Sequence, residues 1–322
     1  MIEKKISIIT PSYNQGQYIE QTIDSVLSQN YNNKEYIIID GGSTDNTVEI
    51  IKKYEKHLKY WISEPDKGQS DAINKGFKYV TGDIINWLNS DDYYEPNTFK
   101  LLNEYFKDIS INVVCGKSRL FGENYEQISK GTYIDKSNLS KTIGLSLMDQ
   151  PATFFRTKIF TQLLPINISL RYLMDRELWI KYLILFGVNN IKKIDDIIVN
   201  FRMHKLSKTV YEGVNFDKER NTIFYSLAKK IQDLKVESIL KSLYDINPNY
   251  KFPIKEIDDI IINKALKFFL FLIADEEYYK SNYNRANYIL KNINLLEYGN
   301  KKDLFILKSK NFLKKNFFIK KH

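Results

Sequence analysis

Asn89, Ser90, Asp91 and Asp92 close a short apolar run at residues 84–88, and two of the four are adjacent acids. Neighbouring carboxylates repel one another unless a cation sits between or beside them. Hard oxygen donors of this kind suit Mg²⁺ or Mn²⁺, held jointly with the phosphates of a substrate. Similar polar groups follow other apolar runs: Tyr13 after residues 6–10, Asp40 at the end of residues 36–40, and Asp66 after residues 60–63. Buried parallel strands read as short apolar runs, and ligands collect beyond their carboxyl ends. Four such ends point to one binding crevice. The bland alternative at 89–92 is an acidic turn before a helix starting near Pro96, where proline is tolerated.

The elements that must hold these groups alternate in type. Ile19, Ile23, Val26 and Leu27 recur at helical spacing after the first run. Gly41, Gly42, Ser43, Thr44 and Asp45 make a tight turn after the second run, with Thr44 or Asp45 placed to cap a helix running to Tyr54. Ala72, Ile73, Gly76, Phe77 and Val80 line a third helix. Strand and helix alternating through the first ninety or so residues predict a mostly parallel sheet covered on both faces. A dinucleotide site is excluded in detail, because the first turn, PSYNQGQ, lacks the GxGxxG that lets a pyrophosphate approach a helix. Further strands are expected within 112–121, 152–155 and 197–201, and a helix over 175–186 that turns Leu178, Trp179, Tyr182 and Leu183 inward. Residues 123–148 read as loop with a short helix. Beyond about Glu212 glycine nearly vanishes and apolar residues recur at three and four, as in Ile223, Leu227, Ile231 and Leu234, then Ile257, Ile260, Ile261 and Leu266. Two domains follow: residues 1–212 around the sheet, and a helical region at 213–322.

The 322 residues carry a formal charge of +9 and one cysteine, Cys115. That cysteine has no internal partner, suits a reducing compartment, and reads as a buried inert thiol. Residues 301–322 hold eight lysines against Asp303, so the preceding chain is close to neutral, which argues against a nucleic-acid-binding surface. No apolar run reaches the ~18 residues of a membrane span. The chain therefore reads as cytoplasmic.

The segments PSYNQGQYIEQTIDSVLSQNY, YIIIDGGSTDNT, EPDKGQSDAINKG, GDIINWLNSDD, DQPATFFR, LRYLMDRELW and FRMHKLSKT stand in this order across roughly residues 5–210. In that order the chain resembles family 2 glycosyltransferases of the GT-A fold, of the bacterial surface-polysaccharide type. The resemblance implies a Rossmann-like nucleotide-binding half and transfer of a sugar from a nucleotide-diphosphate donor, with inversion, to an acceptor hydroxyl. Carried over by position, Thr10 and Tyr13 would border the base, with Pro11 beside them, and Asp40 would accept a hydrogen bond from it. Asp66 and Lys67 would contact the base or the diphosphate. Asn89 and Ser90 would join the donor site, and Asp91 would bind a divalent cation, Mn²⁺ or Mg²⁺. Asp175 matches the catalytic base, His204 a second metal ligand, and Lys208 a neighbour of the diphosphate.

A nucleoside diphosphate leaves readily only when its charge is neutralised, which a divalent cation does as a Lewis acid. An acceptor hydroxyl needs a carboxylate within hydrogen-bond reach, worth roughly 10²–10⁴ in rate. Three positions depart from the family pattern: Asn89 where an Asp is common, Gly41 where an acid is common, and Met174 where Glu is common. The expected donor is a UDP-sugar and the acceptor a saccharide or lipid-linked saccharide. In residues 301–322, Phe305, Ile306, Phe312, Leu313, Phe317 and Ile319 fall in one broad helical sector and Lys308, Lys310, Lys314 and Lys315 opposite. Such a segment fits an anionic membrane at the inner face of the cytoplasmic membrane as well as it fits a helix packed on its own domain. Two other classes remain open at this point: a nucleotidyltransferase, which would want a basic glycine-rich first loop that PSYNQGQ does not supply, and a non-catalytic glycan-binding or scaffold protein.

Overall fold

The computed structural model describes residues 3–204 and 213–292. Packing divides the chain into two compact units. The first takes the described residues within 1–133, 147–182 and 188–213, and the second those within 134–146, 183–187 and 214–322.

The first unit is built on one sheet. Its strands are β1 (Ile6–Ser12), β2 (Lys34–Asp40), β3 (Tyr60–Ser63), β4 (Ile84–Trp87), β5 (Tyr93–Tyr94), β6 (Val113–Gly122), β7 (Tyr125–Ile128), β8 (Thr153–Arg156) and β9 (Ile191–Arg202). They lie in the order β3-β2-β1-β4-β8-β6-β9-β5, with β7 paired to β6 as a hairpin. β1 runs parallel to both β2 and β4, β2 is parallel to β3, and β6 is parallel to β9. β8 is antiparallel to both of its neighbours, and β5 is antiparallel to β9. Every residue of β1 and β4 is buried, because helices cover both faces.

Helices α1 (Ile19–Leu27), α2 (Thr47–Lys53), α3 (Gln69–Phe77) and α4 (Thr98–Tyr105) follow β1, β2, β3 and β5 in turn. Ile19, Ile23 and Val26 of α1 join Ile8, Ile38 and Leu88 in the core. α2 starts one residue later than the capping residues in the sequence suggest. Asp45 does not cap it at the N-cap position; its Oδ1 instead accepts from the Thr47 amide and hydroxyl. α4 begins at Thr98, with Asn97 in the left-handed region (φ 65°) completing the turn that Pro96 opens.

The strand order reverses at β1. The chain moves outward from β1 through β2 to β3, then returns to place β4 on the other side of β1. Such a switch point leaves a crevice beyond the carboxyl ends of the two central strands. Pairing of β1 with β4 ends at Ile9 and Trp87, whereas β1 stays paired with β2 as far as Ser12 and Asp40. Thr10 and Pro11 therefore part from residues 89–92 at the mouth of that gap. Pro11, which has no amide proton to give, sits past the last β1–β4 pair, where the ladder does not need one.

α6 (Thr157–Phe160) follows β8, and α7 (Met174–Phe186) comes after it. α7 gives residues 174–182 to the first unit and the rest to the second. Leu178, Trp179, Tyr182 and Leu183 are all buried, as their spacing predicts. Trp179 stacks on Tyr182 and both meet Phe155 edge-on. Trp87 is also core.

The second unit holds α5 (Leu139–Leu145), α8 (Gly213–Lys230), α9 (Leu234–Leu243), α10 (Asp259–Tyr279) and α11 (Tyr283–Asn292). Residues 134–146 pack here, which the sequence pattern does not announce. The reason is backbone proximity: a Cβ on Gly144 would lie 2.7 Å from the Ala265 carbonyl oxygen of α10. Two residues assigned to the apolar pattern are surface residues, Leu234 at 75% and Ile260 at 69% exposure, because each sits in the first turn of its helix. Among the described residues no helix is long and apolar enough to cross a membrane. Residues 301–322 and Lys208 lie outside the described residues.

Candidate active site

Asp91 and His204 meet at the mouth of the β1–β4 gap. Asp91 Oδ2 lies 3.0 Å from His204 Nε2, and their side chains keep 21% and 12% exposure, so solvent reaches both. Asp91 is delivered by the turn after β4, and His204 by the chain two residues past the end of β9. β5 pairs with β9, Tyr93 opposite Asn200, and this pairing brings the two chain segments into register.

Asp92 points the other way. It is 1% exposed, and its Oδ1 accepts the Arg202 backbone N–H at 2.9 Å. Burial pushes its carboxyl well above the usual carboxylate range, with the charge of Asp91 acting in the same direction. Of the two adjacent acids, one is thus a partly exposed donor and the other a buried anchor. The Thr22 hydroxyl of α1 donates to the Asp92 carbonyl, which pins the turn against α1.

Asp40 is fully buried at the end of β2. Its Oδ2 accepts from the Gly42 and Ser43 amides and the Ser63 hydroxyl, and its Oδ1 from the Ser43 hydroxyl. Each carboxylate oxygen offers about two lone pairs, so three donors crowd Oδ2 while Oδ1 keeps one acceptor position beside the Ser43 hydroxyl. The residue holds the turn at 41–43 through these bonds, and Oδ1 is the oxygen left with room to accept another. Gly41 leaves room for Asp66, because a Cβ there would sit 2.9 Å from Asp66 Oδ2. A glycine therefore stands where the family pattern favours an acid. Asp66 accepts the Gly68 amide at 2.7 Å. Burial raises its pKa, and the nearby carboxylates of Asp71 and Asp40 add to the rise.

Thr10 is buried and shares a 2.8 Å hydrogen bond with the Tyr36 hydroxyl. Pro11 is buried beside it, Tyr13 is 59% exposed, and Lys67 is exposed. Ser90 is buried. Asn89, half-buried, accepts at Oδ1 from the Gln69 side-chain amide at 2.6 Å.

Asp175 stands in the first turn of α7, where the helix dipole favours a carboxylate. It is half-buried, and its Oδ1 accepts the Arg176 amide at 2.7 Å. Met174 before it is buried and accepts at sulfur from the Ser70 hydroxyl. The family's glutamate position is thus filled here by a packing residue. Gln69 and Ser70, adjacent at the start of α3, touch the segments that carry Asn89 and Asp175 respectively. Sequence reasoning missed both. Their signal was the EPDKGQSD loop feeding a helix start, which places side chains of the first turn at the same rim.

A carboxylate oxygen and an imidazole nitrogen already in contact are donors of the kind a divalent cation takes. Two protein donors suffice when substrate phosphates complete the sphere. Among the described residues no group of three or more His, Cys, Asp or Glu side chains is arranged to hold a metal by itself. Cys115 is no candidate: it is buried inside β6 and burial pushes its thiol up to about 12.

Residues 7–166 match the family model described as glycosyl transferase family 2. An uncharacterized glycosyltransferase of Rickettsia typhi is 29% identical over 240 residues, covering 70% of this chain and 72% of the relative. The hyaluronan synthase of Pasteurella multocida is 28% identical over 318 residues, 94% of this chain and 31% of its own length. Among solved structures, S. aureus TarS 1–349 in complex with UDP-GlcNAc aligns with a TM-score of 0.59 at 16% identity, covering 97% of this chain and 91% of that chain. At that identity the likeness bears on the fold alone.

Proposed function

From a chain that belongs to glycosyltransferase family 2, we propose an inverting, metal-dependent sugar transferase that takes a UDP-sugar as donor and a saccharide or lipid-linked saccharide as acceptor, in the synthesis of a cell-surface glycan. The observation that carries the reading is the Asp91–His204 contact at the β1–β4 switch point. The hyaluronan synthase and the TarS complex with UDP-GlcNAc support a UDP-sugar and a polysaccharide product.

In this reading the nucleoside lies along residues 10–13, near Asp40, Asp66 and Lys67. Asn89 and Ser90 would line the donor site, and Asp91 and His204 would hold Mn²⁺ or Mg²⁺, with Lys208 adding positive charge. When bound, the cation neutralises charge developing on the leaving diphosphate. Asp175 accepts the proton of the acceptor hydroxyl as its oxygen attacks the anomeric carbon from the face opposite the diphosphate. The new glycosidic bond forms as the bond to the diphosphate breaks, and the configuration inverts. The lysine-rich residues 301–322 would contact the inner face of the cytoplasmic membrane, where an acceptor carried on a lipid would be found.

Calorimetric titration of UDP with and without Mn²⁺, followed by a panel of nucleotide-sugars scored for released diphosphate, tests this. Binding that strengthens with Mn²⁺ and turnover of one UDP-sugar are expected. UDP affinity indifferent to metal, with no donor consumed, would leave a non-catalytic binding protein as the better account.

A further inference from the structure

We propose that Arg202 and Tyr18 act together as a positioning pair for the metal-binding side chains Asp91 and His204. The inference rests on the reading of those two residues as the cation's ligands and goes beyond it, because it gives Arg202 and Tyr18 a role exerted through their contacts with Asp91 and His204.

Arg202 is the last residue of β9, two positions before His204. It grips the acidic turn twice: its backbone N–H is on Asp92 Oδ1 at 2.9 Å, and its Nε–H is on the Asp91 carbonyl oxygen at 3.1 Å. Its Nη2 donates to Gln21 Oε1 at 2.5 Å, which ties the same side chain to α1. The guanidinium carbon sits 4.8 Å from the ring centroids of both Tyr18 and Phe121, and 5.9 Å from that of Tyr93. Tyr18 then presents its ring to His204, centroid to centroid at 4.8 Å and tilted by 42°. One planar cation is therefore bonded to the backbone of one proposed ligand and, through a single aromatic ring, packed against the other.

The chemistry suits positioning. A guanidinium can lie against aromatic faces while its in-plane N–H groups bond to carbonyls, which a lysine ammonium cannot reproduce. Partners that orient metal ligands without touching the metal commonly change metal affinity by about 10–100-fold when removed. Arg202 and Tyr18 have the contacts for that role at Asp91 and His204.

The test measures Mn²⁺ affinity by calorimetry in the presence of UDP, alongside turnover as a function of Mn²⁺ concentration, in Arg202→Lys, Tyr18→Ala and Tyr18→Phe. Thermal unfolding of each variant accompanies the titrations. Arg202→Lys and Tyr18→Ala should lose about tenfold in Mn²⁺ affinity. In turnover the loss should appear as a higher Mn²⁺ requirement, with the donor KM at saturating Mn²⁺ little moved. Tyr18→Phe, which keeps the ring, should recover the affinity. A merely structural role would lower the unfolding temperature while leaving the Mn²⁺ dependence of the folded fraction alone, and that result overturns the proposal. Wild-type Mn²⁺ affinity in folded Arg202→Lys overturns it too and leaves the transferase reading standing. Wild-type protein that binds no Mn²⁺ with UDP overturns the metal reading and the role of Arg202 together.

Discussion

The hydroxyl of Ser70 lies 2.7 Å from the sulfur of Met174, across 104 positions of sequence, and Met174 immediately precedes Asp175. Gln69, next to Ser70, bonds to Asn89 at the other rim of the crevice. The first turn of α3 is thus a brace between the segment carrying the proposed base and the segment carrying the acidic turn. Met174→Ala should cost about 3 kcal/mol in urea unfolding through the cavity it leaves. It should also lower kcat more than it raises the donor KM. Met174→Leu, close in volume, should lose less than about 1.5 kcal/mol and keep most of the turnover.

Asp91 and His204 should fail differently. Asp91→Ala removes the charged oxygen donor and should abolish transfer with the fold intact by circular dichroism. His204→Ala leaves the carboxylate and should raise the Mn²⁺ concentration needed for half-maximal turnover by tenfold or more, on the order of the loss seen for partners of metal sites. Equal Mn²⁺ dependence in wild type and His204→Ala would remove His204 from the site.

Asp40 gives a contrast between binding and scaffolding. Its carboxylate accepts four hydrogen bonds and donates none. Asparagine there would turn an N–H₂ group toward at least one of these half-buried donors and lose that hydrogen bond to a charged group, at about 1.5–3 kcal/mol. Asp40→Asn should therefore lower the unfolding midpoint even without nucleotide, whereas a residue used only by the ligand would leave it unchanged.

Glu35 supplies a pH signature. It is buried near the start of β2, against the turn before β4, and paired with Lys5 at 2.7 Å and Lys59 at 3.3 Å. It also accepts from the Ser7 hydroxyl and from the Thr81 amide and hydroxyl. Burial alone would raise its pKa, but these hydrogen bonds, led by Lys5 and Ser7, outweigh it and bring the carboxyl down to about 2 from 4.5. A folded-state pKa below the unfolded one means the stabilisation is fully present above about pH 4.5 and is lost as pH falls toward 2. Glu35→Gln should be about 3 kcal/mol less stable than wild type at pH 7, as for a broken buried pair. Urea titrations should find that difference shrinking steadily between pH 4.5 and 2.5. A pH-independent gap would contradict the assignment.

The first four strands and three helices were legible because burial on both faces leaves uninterrupted β-branched runs, and covering helices keep a 3.6-residue period. The carboxyl-end cluster followed from that alternation alone. What could not be read locally came from partners distant in the chain. Asp40 and Asp66 look alike as acids after strands, yet one is bonded to the amides of its own turn and the other faces Gly41. Asp91 and Asp92 differ in role only because β9 lays the Arg202 amide on Asp92. Residues 134–146 join the helical unit through a backbone approach at Gly144 that no periodicity marks. Arg202 and Tyr18 carried no signal, since their importance lies in what they touch.

If Asp175 is the base that activates the acceptor hydroxyl, its loss must stop sugar transfer. UDP release from the donor identified by the nucleotide-sugar panel, with acceptor and Mn²⁺ present, measures this in wild type and Asp175→Asn. A fall of about 10²-fold or more in kcat, at nearly unchanged UDP affinity and unfolding temperature, is the expected result. Turnover close to wild type in Asp175→Asn would contradict it.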